Sequence, residues 1–94
     1  IMKAISIRPN SPTFLDTYGW VLFQKNDFIN AEQVLFKAVM LSDEKNGEIL
    51  EHYADVLYKL DKINEAIIFW EKAKITGEYS DQLLNKINEK KYME

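Results

Sequence analysis

The chain lacks the residues on which several kinds of site depend. Its 94 residues include no cysteine, so neither a disulfide nor a thiolate metal site can form. It contains no apolar run near the roughly 20 residues that a membrane-spanning helix needs, and no glycine-rich phosphate loop or G-x-S-x-G motif. Lysine and arginine number 12 against 15 acidic residues, which gives a formal net charge of -3. Because these motifs are missing, we expect no enzyme activity and no cofactor. We also expect no nucleic-acid partner, because nucleic acids select a basic surface.

One segment of the sequence occurs twice without a gap. Residues 18–38, YGWVLFQKNDFINAEQVLFKA, match residues 53–73, YADVLYKLDKINEAIIFWEKA, at an offset of 35 residues. Tyr18 opens the first copy and Tyr53 opens the second. A repeat of this length is typical of proteins built as stacked arrays of small units.

Apolar residues at three- and four-residue spacing predict helices separated by short polar turns. We expect five of them, at residues 12–25, 28–41, 47–60, 63–75 and 81–92. Asn26 and Asp61 are predicted turn residues with positive φ, and Gly77 a predicted C-cap. The predicted N-caps are Ser11, Asn46 and Ser80.

Small residues predict where the helices pack most closely. Four alanines should be almost fully buried: Ala31, Ala38, Ala66 and Ala73. Gly19 should let a neighbouring helix approach. The large residues expected in the same core are Tyr18, Leu22, Leu35, Tyr53, Leu57 and Trp70. In the last helix, Leu83, Leu84 and Ile87 repeat the start of the buried pattern, and polar residues follow them. This change predicts a capping helix at the end of the repeat array.

The two copies can be written as a motif. The first reads Leu15-x2-Tyr18-Gly19-x2-Leu22 and then Ala31-x3-Leu35, and the second reads Leu50-x2-Tyr53-Ala54-x2-Leu57 and then Ala66-x3-Trp70. This pattern resembles the tetratricopeptide repeat, a helix–turn–helix unit of 34 residues that reads W-x2-L-G-x2-Y, then A-x3-F, then P. The C-terminal sequence is also similar to the ends of long bacterial repeat proteins of unassigned function.

The resemblance implies an all-α fold, a right-handed α-solenoid of helix–turn–helix repeats with a C-terminal capping helix. Residues 1–94 would form one domain. Within it, residues 1–11 would end a truncated preceding repeat, residues 12–45 and 47–80 would be full repeats, and residues 81–94 would form the cap. Members of the family grip extended peptides or helices and act as scaffolds.

In this family the first helix of each pair lines a concave groove. The residues of these helices that the buried face does not use are Asp16, Trp20, Phe23, Glu48, Glu51, His52, Asp55 and Tyr58. Two interpretations stay open for Trp20 and Phe23, which either anchor a partner or pack on a missing helix of the preceding repeat. The carboxylates are expected to be open to solvent with Lys59 as the one nearby cation, so the groove should favour basic segments.

His52 is the single histidine of the chain. Carboxylates beside it hint at a metal ion, but carboxylates on exposed helices are usually only solvated, so we expect no metal site. We also expect no catalytic carboxylate pair, because nothing separates their pKa values in an open groove. Chaperone-binding members of the family hold a partner's C-terminal carboxylate with Lys and Asn side chains four apart on this face. Asp16 with Trp20 and Glu48 with His52 occupy those positions, so that clamp is absent.

The expected function is protein–protein interaction, in which the groove binds a basic and aliphatic peptide or helix within a larger repeat protein. The alternative is a structural or scaffold segment whose exposed face mediates self-association or packs on the rest of its own chain. Apolar Ile1 and Ile5 near the N-terminus predict a homodimer through that end. Cytoplasmic and periplasmic locations are both compatible with the sequence.

Overall fold

Short turns divide the described residues into four helices of similar length and one shorter helix. A computed structural model describes residues 11–92 and contains α1 (Pro12–Gln24), α2 (Phe28–Leu41), α3 (Gly47–Lys59), α4 (Ile63–Thr76) and α5 (Leu83–Glu89). Residues 11–92 contain no strand, so the predicted all-helical fold is confirmed for them. Ile1 and Ile5, and the N-terminal association predicted from them, lie outside the described residues.

For the first four helices, the predicted ends are confirmed to within one residue and the predicted turns are confirmed. The side chains of Ser11 and Asn46 each accept a hydrogen bond from the backbone N–H three residues ahead, at 3.2 and 3.1 Å. Asn26 and Asp61 have φ values of 63° and 66°, as tight helix–helix turns require. Gly77 ends α4 in the left-handed conformation with φ of 81°.

The last helix differs from the prediction in its length, its N-cap and its buried face. It spans only Leu83–Glu89, and Ser80 does not cap it, because the Ser80 N–H and hydroxyl both donate to the Glu51 carboxylate. Leu84 was expected inside and is 44% exposed, whereas Lys86 is buried. The short helix is therefore rotated so that a lysine, rather than a second leucine, faces the body of the protein.

Each helix packs against the next one in the chain, and α1 also contacts α3. All four predicted alanines are fully buried, as are Leu35, Leu57 and Trp70. Tyr18 and Leu22 are only half-buried, although they were expected in the core. Tyr53, the counterpart of Tyr18 in the second repeat, is buried and packs against the rings of Phe36 and Phe69. The counterpart of Phe36 for Tyr18 would be residue 1, which lies outside the described residues.

Gly19 lies where α1 and α2 come closest. A Cβ atom at Gly19 would lie 2.5 Å from Cγ of the buried Leu35, so the close approach predicted at this glycine is confirmed. The resulting helix pairs bring α1 and α3 next to each other, and this placement builds the site described below. None of the helices in residues 11–92 has the length and apolar character needed to cross a membrane.

Candidate functional site: an acidic pocket closed by the C-terminal segment

A concave pocket with a volume of about 690 Å³ lies between α1, α3 and the chain that follows α4. Its lining residues are Trp20 from α1; Asn46, Glu48, Glu51, His52 and Asp55 from the start and body of α3; and Glu78, Tyr79, Ser80, Gln82, Lys86 and Tyr92 from the C-terminal segment. Among these described lining residues, four carboxylates face one lysine. The pocket is therefore negatively charged and has aromatic rings at its walls.

Lys86 forms the base of the pocket together with two carboxylates. Its ammonium nitrogen lies 2.7 Å from Glu51 Oε2 and 3.0 and 3.1 Å from the two oxygens of Asp55. All three side chains are at most 5% exposed. Trp70 Nε1 donates a further hydrogen bond to Asp55 Oδ1 at 2.9 Å. This Lys86 cluster, which consists of Glu51, Asp55 and Lys86, links α3 to α5 through a buried ion-pair network.

Burial and hydrogen bonding act with different strength on the two carboxylates that share Lys86, and this difference separates their pKa values. Burial raises the pKa of Asp55 to about 6, against the opposing effects of Lys86 and Trp70. Burial also acts to raise the pKa of Glu51, but hydrogen bonds from Lys86 and Ser80 outweigh it and hold that pKa below its usual value. The expectation that nothing separates these pKa values was wrong, because neither group lies in an open groove.

Asp16 and His52 form a second pair, which joins α1 to α3. His52 Nδ1 donates to Asp16 Oδ1 at 2.7 Å, and both side chains are largely buried. Burial acts to lower the pKa of His52, but the hydrogen bond to Asp16 and the charges of Asp55 and Glu48 outweigh it, so the pKa is raised. The imidazole is also stacked on Trp20, with ring centroids 4.3 Å apart.

The C-terminal end of the described chain covers the aromatic residues of α1. Phe23 is buried, with its ring stacked on Trp20 and edge-on to Tyr92 at a centroid distance of 5.5 Å. The ammonium groups of Lys59 and Lys86 lie over the Tyr92 ring at 5.1 and 5.2 Å. Phe23 is thus covered by its own chain, an arrangement that neither sequence interpretation included, while Trp20 stays half-buried at the pocket wall.

Of the eight residues predicted for the groove, five line the pocket: Trp20, Glu48, Glu51, His52 and Asp55. Asp16 lies behind His52 and is buried. Tyr58 is half-buried, with its ring 6.0 Å from that of Trp70. The expectation that Asp16, Glu48, Glu51 and Asp55 are all open to solvent was wrong for three of them, because Lys86 and His52 neutralise carboxylates that the helix pattern leaves outside the core. Only Glu48 is exposed.

The sequence reasoning missed the residues that the C-terminal segment contributes. No role was predicted for Lys86, although it lies three residues after the buried Leu83 and next to Ile87 on the same helix stripe. A lysine within an apolar stripe is the signal that could have indicated a buried ion pair. Glu78 and Tyr79 lie between α4 and α5, and Tyr92 lies after α5. No local sequence pattern predicts that these three residues line a pocket together with residues of α1 and α3.

The arrangement is suited to binding cations. The two exposed carboxylates of the pocket, Glu48 and Glu78, stand beside the rings of Tyr79 and Trp20. Glu51 and Asp55, by contrast, are covered by Lys86 and inaccessible to a substrate. No protein-family model and no curated protein matches this chain.

Proposed function

We propose that this chain is a protein-interaction module of the tetratricopeptide-repeat kind, whose acidic pocket receives a basic side chain of a peptide partner. The repeat assignment, and with it a right-handed solenoid, is supported by the gapless repeat of 35 residues. It is also supported by alanines at the same repeat positions that are fully buried where the helices pack.

The observation that carries the proposal is the composition of the pocket. Lys86 already neutralises much of the charge on Glu51 and Asp55, so the exposed Glu48 and Glu78 are the carboxylates left for a partner. A lysine or arginine side chain would lie between these two groups and contact the neighbouring rings through cation–π interactions. The volume of about 690 Å³ is larger than one side chain needs, so flanking aliphatic residues of the peptide also fit.

The test compares the binding of labelled peptides by fluorescence anisotropy. A peptide rich in Arg, Lys and Leu should bind weakly, and more weakly still as salt increases, because each exposed ion pair contributes up to about 1 kcal/mol. The variant Glu48→Gln/Glu78→Gln should lose affinity by about 2- to 30-fold. The control Glu65→Gln/Glu71→Gln makes the same charge change on exposed positions of α4 and should bind like the unmodified chain. Equal binding by both double variants, or preferential binding of an acidic peptide, would contradict the proposal.

A second candidate function, self-association in a scaffold, is favoured by an exposed apolar stripe on the outer helices. Ile29, Phe36 and Met40 lie along one side of α2 and are 65, 48 and 49% exposed. Ile75, the repeat counterpart of Met40, is 84% exposed on α4. Sedimentation of the chain and of Phe36→Ser/Ile75→Ser separates the two functions, because only self-association through this stripe would be lost in that variant.

A further inference from the structure

Asp16, Glu48 and His52 converge on one point at the wall of the pocket, although α1 and α3 contribute them separately. One imidazole nitrogen and one oxygen from each carboxylate all lie within 4.8 Å of one another. Glu48 and His52 are one helical turn apart on α3, so their side chains share a face. Asp16 reaches the same place from the neighbouring helix.

We propose that these three side chains form a binding site for a divalent transition-metal ion of the zinc type, which joins α1 to α3. Imidazole and carboxylate together are ligands that zinc and its neighbours in the first transition row accept. Calcium prefers six to eight oxygen ligands, so the imidazole argues against it. Water would complete the coordination from the side of the pocket.

Three features of the structure suit these residues to a metal ion. The Asp16–His52 distance of 2.7 Å is that of a charge-assisted hydrogen bond, so the two groups need to separate only to about 3.4 Å to become adjacent ligands of a tetrahedral ion with bonds of about 2.1 Å. The stacked Trp20 ring holds the imidazole in place, so little ordering is needed on binding. Glu48 is exposed and has a carboxylate oxygen within 4.8 Å of the ligand atoms of the pair, so it is free to move onto an ion.

The charge around the three residues also favours a cation. The nearest lysine in the pocket, Lys86, is already engaged by Glu51 and Asp55. Glu78, which is not one of the proposed ligands, adds negative charge to the same pocket. A divalent ion would neutralise the negative charge that the ion pairs within the chain leave in this pocket.

Calorimetric titration of the tag-free, chelator-treated chain with zinc chloride tests the site. One ion should bind per chain, and the thermal midpoint should rise with the logarithm of the free zinc concentration once that concentration exceeds the Kd. Glu48→Gln and His52→Gln should each weaken binding at least about tenfold. Because Glu48 is exposed, the Glu48→Gln variant should fold even if the buried Asp16–His52 pair does not tolerate substitution. Glu78→Gln removes an equal charge from the same pocket and is the matched control.

Trp20 supplies an independent readout, because its ring lies 4.3 Å from the imidazole. Cobalt or nickel should quench Trp20 fluorescence saturably, and Trp20→Phe should remove this quenching while calorimetry still detects the ion. Absence of saturable zinc binding up to about 1 mM would overturn the proposal. Equal affinity of the His52→Gln variant and the unmodified chain would overturn it as well. An equal loss in Glu78→Gln and Glu48→Gln would show diffuse charge attraction instead of coordination.

Discussion

Replacing Lys86 by methionine removes the one cation of the Lys86 cluster while keeping a side chain of similar length. The ammonium group is within 3.1 Å of oxygens from both Glu51 and Asp55, and the lysine side chain is 5% exposed. The substitution therefore leaves two carboxylates buried without a counterion. Breaking a buried ion pair in this way costs roughly 3–5 kcal/mol, a large part of the 5–15 kcal/mol that typically stabilises a domain.

Urea unfolding followed by circular dichroism measures this loss. Lys91→Met is the control, because the Lys91 side chain is 55% exposed and lies 4.0 Å from a Glu89 carboxylate oxygen. If Lys86→Met is too unstable to fold alone, adding Glu51→Gln and Asp55→Asn should recover about 2 kcal/mol or more, since the triple variant buries no charge at this point. A Lys86→Met variant within about 0.5 kcal/mol of the unmodified chain would refute the role assigned to the cluster.

Three further predictions test the electrostatics and the packing. The folded-state pKa of Asp55 is raised from 3.8 to about 6, so its contribution to stability is fully present below pH 3.8 and is lost as pH rises through about 6. This contribution is at most about 3 kcal/mol, and Asp55→Asn should remove it from the pH dependence of unfolding measured in the presence of a chelator. Gly47→Ala should destabilise more than Gly19→Ala in thermal melts, because its Cβ would lie 1.8 Å from a backbone oxygen, whereas that of Gly19 would meet a leucine side chain. Ala66→Leu should overpack a fully buried contact and cost roughly 1–3 kcal/mol, so an unchanged melting curve would contradict the helix packing.

Local sequence patterns were sufficient to predict the first four helices and the contacts of their small residues. Ser11, Asn46 and Gly77 cap helices by bonds or dihedral angles that depend on neighbouring residues alone. The buried alanines and Gly19 were predicted from a repeat whose register is unbroken. For these features the information lies within a few residues, or within one repeat length, of the position concerned.

The site was predicted only in part, because its decisive contacts join distant segments. Helix periodicity placed Glu51 and Asp55 outside the hydrophobic face but could not show that Lys86 reaches them from a helix about 30 residues further along the chain. The pairing of Asp16 with His52 likewise depends on how α1 and α3 are placed side by side. Phe23 is on a non-core face of α1 by spacing alone, and it is Tyr92 that covers it.

The proposed role of the pocket can be tested most directly through the two tryptophan indole N–H signals in a ¹H–¹⁵N spectrum. Trp20 lines the pocket, whereas Trp70 donates from beneath it to Asp55 Oδ1 at 2.9 Å. With a chelator present, an arginine-rich peptide should shift the Trp20 signal saturably and leave the Trp70 signal in place. A Trp20 signal that stays unchanged up to about 1 mM peptide, or that moves equally with an acidic peptide, would contradict the account.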